Sequence, residues 1–348
     1  MSNAARAPGK LILSGEHSVV YGAPALVMAV AKYTTVRFTP LHETGVLKTV
    51  FQGFSQGAAY PLASLSRLKD KLDRRFEQFA RGERPVQNIL HRPDDLVIYT
   101  LATLLRQLPM PGRSHARRLP VPGRISTESE LPLGAGMGSS AAAIAATLVL
   151  YEHLGNHPLT LEQRFEHIRF CERLQHGKGS AIDAAAVTWG GIQFLENGQP
   201  AAQDITLDGH WYALQHGIPH TSTGETVAQV RARHAADHAL WQQFAACTQA
   251  LRETLRAQGN PRDSIRENHR LLRHIGIVPD GTAQLIARIE ASGGAAKVSG
   301  AGASAGEHGG MVLIWHPDEN ALRACLPGLA PEAIRIAPEG AHLLPQDI

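Results

Sequence analysis

Apolar and polar positions along the chain alternate between two periods. Residues 26–38, LVMAVAKYTTVRF, and 46–51, VLKTVF, carry the β-branched and aromatic side chains of strands. Residues 56–91 are mostly polar and irregular, with room for a short helix between Leu65 and Phe79. Asp94 stands where it can cap a helix over 94–106, and 121–130 reads as a strand that feeds a glycine loop. An alanine-rich helix follows, opening at Ser139 or Ser140. Thr160 and Gln163 form a capping box ahead of a helix that runs through Leu174. Strands and turns are expected over 191–209, and helices over 223–255, 263–274 and 281–291. A second glycine-rich stretch, 293–310, precedes the strand MVLIW. Strands mixed with helices in this order describe an α+β protein of at least two layers.

With 348 residues the chain is long enough for one large domain or two. Cys171, Cys247 and Cys325 are too widely spaced for a disulfide framework or a zinc cluster, which favours a reducing, cytoplasmic setting. No signal peptide or membrane-length apolar run is apparent. The 34 basic and 31 acidic side chains leave a formal charge of only +3, so nucleic acid is not an expected partner. Arg113, Arg117 and Arg118 form a local basic cluster beside prolines, read as a solvated connection. The 18 histidines are scattered and match no metal-binding spacing.

The chemistry gathers at the glycines. LPLGAGMGSSAA, 131–142, runs a glycine loop into a helix that starts with two serines, which aims backbone N–H groups at one spot and suits an anion. It lacks the Lys-Ser/Thr ending of a P-loop and the order of a dinucleotide site. On the helix ending at Leu174, Glu172 shares an arc with Leu161, Phe165 and Ile168. A carboxylate there needs a partner, which a divalent cation or an internal arginine would supply. Asp183, among small apolar residues in HGKGSAIDAAAVTWGG, suits a base, a metal ligand or a cap for the AAAV segment. Lys10 opens an apolar strand in APGKLILSGEHSVVYG, and can stabilise charge in a cleft or lie solvated at a strand edge. Glu16 and His17 follow it, either as contacts to a polar substrate or as a solvated turn.

These segments together resemble the GHMP kinase superfamily, named for its galactose, homoserine, mevalonate and phosphomevalonate kinases, and within it the mevalonate kinase branch. The resemblance rests on residues 7–22, 132–142, 172–191 and 293–302, in order and in spacing. It implies an N-terminal domain over 1–190 of ribosomal S5-like type with a left-handed βαβ unit, and a ferredoxin-like C-terminal domain over 191–348. Both would line the active cleft. The activity it implies is transfer of the ATP γ-phosphoryl group to the C5 hydroxyl of (R)-mevalonate, with Mg2+ and no membrane involvement; a homodimer is compatible with it. Gly134, Ala135, Gly136, Met137, Gly138, Ser139 and Ser140 would cradle the nucleotide phosphates, and Ser140 and Glu172 would hold Mg2+. Asp183 would orient or deprotonate the hydroxyl, with Lys10 stabilising charge beside it. Glu16, His17 and the loop residues Thr221, Ser222 and Thr223 would contact the substrate.

The chain departs from the family pattern in two segments. HGKGSAIDA has Gly179, Ala181 and Ala184 where proline, glycine and asparagine are usual. The third glycine motif, GAGASAGEHGG, is longer than usual, leaving Glu307 and His308 without a role. A phosphomevalonate kinase is the neighbouring alternative and a non-catalytic sensor the remote one; the opening typical of galactokinases is absent.

Overall fold

The computed structural model describes residues 3–42, 45–51, 57–107, 122–132 and 134–345, so the basic cluster at 113–118 lies outside the described residues. The chain enters with β1 (Ala4–Ser14) and β2 (Ala25–Pro40), an antiparallel pair that forms the spine of the first sheet. β3 (Val46–Phe51) and β4 (Ala58–Pro61) form a hairpin, and β5 (Gly123–Ser129) lies parallel to β3 after a helical crossover. That crossover carries α1 (Leu65–Ala80) and α2 (Asp95–Gln107). β2 is long enough to serve two partners: Thr34–Pro40 pair with β5, and Ala25–Met28 pair with β6 (Ile192–Glu196), which turns into β7 (Gln199–Gln203).

α1 is a full helix of 16 residues rather than a short one. Leu65, Leu68, Leu72, Phe76 and Phe79 recur at helical spacing, and Leu65 and Leu72 are buried, so its polar residues are the outer face of an amphipathic helix. Asp94 does not cap α2. It is buried and accepts hydrogen bonds from Thr49 Oγ1 at 2.6 Å and Tyr60 OH at 2.8 Å, tying the hairpin to the helix.

α3 (Ser139–Leu154), α4 (Leu161–His176) and α5 (Ala181–Trp189) pack in succession, with α3 and α5 lying on β1 and β2. α3 is buried on nearly every side, and its alanines let it approach the sheet closely. Leu11, Leu13, Leu26 and Met28 fill this core, each worth about 2 kcal/mol of burial.

The second sheet begins with β8 (Trp211–His216). α6 (Thr223–His234), α7 (His238–Arg256), α8 (Arg262–His274) and α9 (Asp280–Ala291) intervene before β9 (Ala295–Val298) and β10 (Gly310–Trp315). α10 (Glu319–Cys325) and β11 (Glu332–Ala333) complete it, and β12 (His342–Leu343) returns to pair with β1. The order β11-β8-β10-β9, all antiparallel, is the ferredoxin-like arrangement that the resemblance implies. The stretch 223–255 is two helices: the chain breaks at Ala235–Asp237, where Asp237 caps α7 by accepting from Leu240 N at 3.0 Å. Among the described residues no helix is long and apolar enough to cross a membrane.

Candidate active site

The site is built where β1 meets the glycine loop. The β1–β2 register shifts between Pro8, opposite Tyr33, and Gly9, opposite Val30, so the strand pair is irregular one residue before Lys10. Gly9 permits the close approach that follows, since a Cβ there would lie 2.4 Å from Leu131 Cδ2. Lys10 N then donates to Met137 O at 2.9 Å, fastening the loop to the strand.

Gly134, Gly136 and Gly138 all have left-handed backbone (φ of 72, 75 and 74°), a conformation that folds the loop tightly under α3. Gly138 occupies the cap position of α3 without a side-chain cap, so the helix's leading N–H groups are left for another acceptor. A Cβ on Gly138 would sit 3.0 Å from Lys10 Cγ and 3.1 Å from Asp183 Oδ1, so any side chain there would press on this pair.

Lys10 Nζ lies 3.1 Å from Asp183 Oδ1. Asp183 is on the first turn of α5, whose cap is Ser180: its Oγ accepts from Asp183 N at 3.2 Å. The capping task is therefore already filled, which leaves the Asp183 carboxylate for Lys10. Burial works to raise the Asp183 pKa, but the Lys10 charge and the Ser180 contact outweigh it and hold the carboxyl below its ordinary value.

Glu172 is fully buried on α4. One carboxylate oxygen accepts from Ser140 Oγ at 3.3 Å and the other from Ser180 N at 3.2 Å. Burial, and next the negative charge of Asp183, raise its pKa well above the ordinary value. A carboxylate in this state gains most from an added cation. Among the described residues no cluster of three His, Cys, Asp or Glu side chains could hold a metal by itself. Ser140 and Glu172 nevertheless fit a Mg2+ whose remaining ligands are phosphate oxygens and water, the usual habit of that ion.

A cleft of about 590 Å3 opens beside the loop. Gly134, Ala135 and Gly136 line it from the first lobe together with Leu174–His176, and Ile218, Pro219, Thr221–Gly224, Ser299, Ala301 and Gly302 line it from the second. Asp183's charge reaches His176 on this wall, although burial dominates and lowers the histidine's pKa. Thr221, Ser222 and Thr223 all border the cleft. Thr221 Oγ1 accepts from Ser304 N at 3.1 Å, tying this loop to the third glycine motif, and Ser222 caps α6 in a capping box with Glu225.

Residues 95–191 match the GHMP kinases N terminal domain family. Over these residues the chain is similar to GHMP kinases. The mevalonate kinase of Pyrococcus abyssi is 26% identical over 97% of both chains. That of Bos taurus is 33% identical over 65% of this chain and 62% of its own length. The solved structure of the Methanococcus jannaschii mevalonate kinase superposes with a TM-score of 0.74 at 18% identity, covering 97% of this chain and 99% of that one, which establishes a shared fold.

In the structure Lys10 meets Asp183, Ser140 meets Glu172, and Gly138 of the loop abuts the first pair. Glu16 and His17 are placed differently from a solvated turn. Glu16 is buried and paired with Lys297 of β9, and burial raises its pKa against the opposing Lys297 charge. His17 Nε2 contacts Ala301 O at 2.9 Å, and burial lowers its pKa. Glu16 thus reaches β9, and His17 the third glycine motif that follows it. Glu307 and His308 lie on that motif's far side: Thr282 Oγ1 donates to Glu307 O at 3.4 Å, and the His308 ring stands edge-on to His216 at 4.8 Å.

Three polar residues of the site escaped the reading of the sequence: Ser180, Lys297 and Ser299. Lys297 carries a usable signal, because a lone lysine in the apolar run AAKV implies a buried counter-charge.

Proposed function

We propose that the chain is an ATP-dependent kinase that transfers the γ-phosphoryl group to the C5 hydroxyl of (R)-mevalonate, giving 5-phosphomevalonate and ADP. The observation that carries this reading is the pairing of Lys10 with Asp183 directly behind Gly138 of the phosphate loop. The named relatives are mevalonate kinases, and they supply the acceptor's identity.

In this reading the left-handed glycines and the open start of α3 bind the ATP phosphates through backbone N–H groups. Mg2+, when bound, would neutralise developing charge on the phosphates; Ser140 and Glu172 are the residues that would hold it. Asp183 orients the attacking hydroxyl through its charged carboxylate. Because Lys10 keeps that carboxylate below its ordinary pKa, it is a weak base, and it accepts the proton late, once phosphoryl transfer has made the hydroxyl acidic. The Lys10 ammonium, next to Asp183, stabilises the negative charge on the attacking oxygen and the transferring group. Thr221, Ser222 and Thr223 offer hydroxyls to the substrate's polar groups from the facing lobe. In this reading the lobes assigned to 1–190 and 191–348 both border the cleft, the first with the phosphate loop and the second with residues 221–223.

Product analysis tests this. Incubating the purified chain with Mg·ATP and (R)-mevalonate should yield a phosphomonoester whose phosphorus couples to the C5 methylene protons in NMR. A diphosphate formed only from 5-phosphomevalonate would identify the neighbouring activity instead.

A further inference from the structure

We infer that Lys297 is a positioning residue, which with Glu16 fixes the third glycine motif against β1 and so sets the gap in which the ATP phosphates lie; this rests on the kinase reading above. Lys297 lies on β9 and Ser299 and Ala301 in the turn that leaves it, and each reaches β1 or the turn after it. The fully buried Lys297 ammonium donates to the Glu16 carboxylate and to Ile12 O at 3.1 Å. Ser299 Oγ accepts from Ile12 N at 2.8 Å and lies 3.2 Å from Ile12 O. Ala301 O contacts His17 Nε2 at 2.9 Å.

The same segment faces the phosphate loop. A Cβ on Gly136 would lie 3.8 Å from Ser299 O, and one on Gly300 would lie 3.8 Å from Gly136 O. Ile12 is two residues from Lys10 on β1, so one strand carries both the catalytic ammonium and the anchor of the opposing motif. Neither Glu16 nor Lys297 lines the cleft. Their effect is therefore transmitted through the backbone they hold.

An ion pair without exposure is a costly way to fill space, and an apolar pair of similar volume often serves stability equally well. What the ammonium adds is direction. Two of its donors engage Glu16 and the Ile12 carbonyl together, which fixes the position of β9 against β1 in a manner no apolar side chain can.

The double variant Lys297→Met/Glu16→Leu removes both charges at similar volume, and the test compares the purified full-length protein with and without the change. Thermal melting, KM for ATP, KM for mevalonate, kcat, and hydrogen exchange of the 299–302 amides are read together. The expected result is a melting temperature close to wild type, a KM for ATP raised about tenfold or more with a lowered kcat, and faster exchange at 299–302. KM for mevalonate should move less than KM for ATP. Wild-type kinetics and exchange in a folded double variant would overturn the inference. So would a Glu16→Gln variant that raises KM for mevalonate alone, which would make Glu16 a substrate contact. If the double variant does not fold, Glu16→Gln decides, because it keeps an acceptor oxygen and should shift KM for ATP and the same amides in the same direction. If the wild-type protein itself turns over no mevalonate, the kinase reading fails and the exchange comparison alone judges the clasp.

Discussion

Replacing Asp183 by Asn separates its chemistry from its contribution to stability. Removing one partner of a buried ion pair commonly costs about 3–5 kcal/mol, because the other charge is left uncompensated. Here the cost should be smaller, about 1–2 kcal/mol, for two reasons. Asn keeps an oxygen able to accept from Lys10, which stands 3.1 Å away, and the Ser180 cap is to the backbone N–H of residue 183 and survives. In addition, the charge of Asp183 is part of what raises the Glu172 pKa; once it is gone, Glu172 ionises more readily and becomes the counter-charge of Lys10. Turnover should respond far more strongly. Loss of an orienting and proton-accepting carboxylate typically costs a factor of about 10²–10⁴, or about 3–5 kcal/mol of transition-state stabilisation. The assay couples ADP release to a chromogenic reaction under saturating mevalonate, beside a direct titration of ATP binding and a thermal scan. A folded Asp183→Asn protein that binds ATP and turns over within about threefold of wild type would refute the role given to this carboxylate.

Glu172→Gln should abolish most Mg2+-dependent turnover and should change how stability depends on pH. The folded pKa of Glu172 lies above its ordinary value of 4.5, so its cost to the ligand-free protein is absent below 4.5 and grows as pH rises through the window between 4.5 and the folded pKa. Thermal scans should therefore show the variant gaining on wild type from about pH 4 to pH 7; a constant offset would contradict the assignment. Gly138→Ala should lower turnover about tenfold or more, because its methyl meets Lys10 and Asp183, whereas Gly22→Ala, at φ 89° with nothing within 4 Å, should carry only the left-handed strain of about 1–2 kcal/mol and normal kinetics. Equal activity losses in the two would remove the steric explanation. His17 is buried with its pKa below the ordinary 6.5, so the stability its neutral form supports is complete above 6.5 and is lost as pH falls from there through the folded pKa. His17→Asn should flatten that acid limb in thermal scans; an unchanged limb would place the titration elsewhere.

The parts of the site that were legible in the sequence are those coded by local pattern. Glycines before an alanine-rich helix announced the loop under α3, and Glu172 declared itself as a carboxylate on an apolar arc. The fold class followed from the order of strand and helix periods together with the spacing of four glycine-bearing segments. What periodicity missed depends on contacts between distant residues. Glu16 and Lys297 are separated by 281 positions, and nothing near Glu16 distinguishes a solvated turn from a buried pair. Asp94 has the spacing of a cap, yet Thr49 and Tyr60 from the hairpin claim its carboxylate, because satisfying a buried carboxylate outweighs closing one helix end. The continuous helical pattern over 223–255 hid a break, since Asp237 can start a new helix without a proline or glycine to mark it.

The central claim is that this cleft phosphorylates mevalonate, and the most direct measurement is ADP release by the purified chain with Mg·ATP and, side by side, (R)-mevalonate, 5-phosphomevalonate or no acceptor. Rapid turnover with mevalonate, and only background with the other two, is the predicted result. Turnover that prefers 5-phosphomevalonate, or that is indifferent to the acceptor, would contradict it.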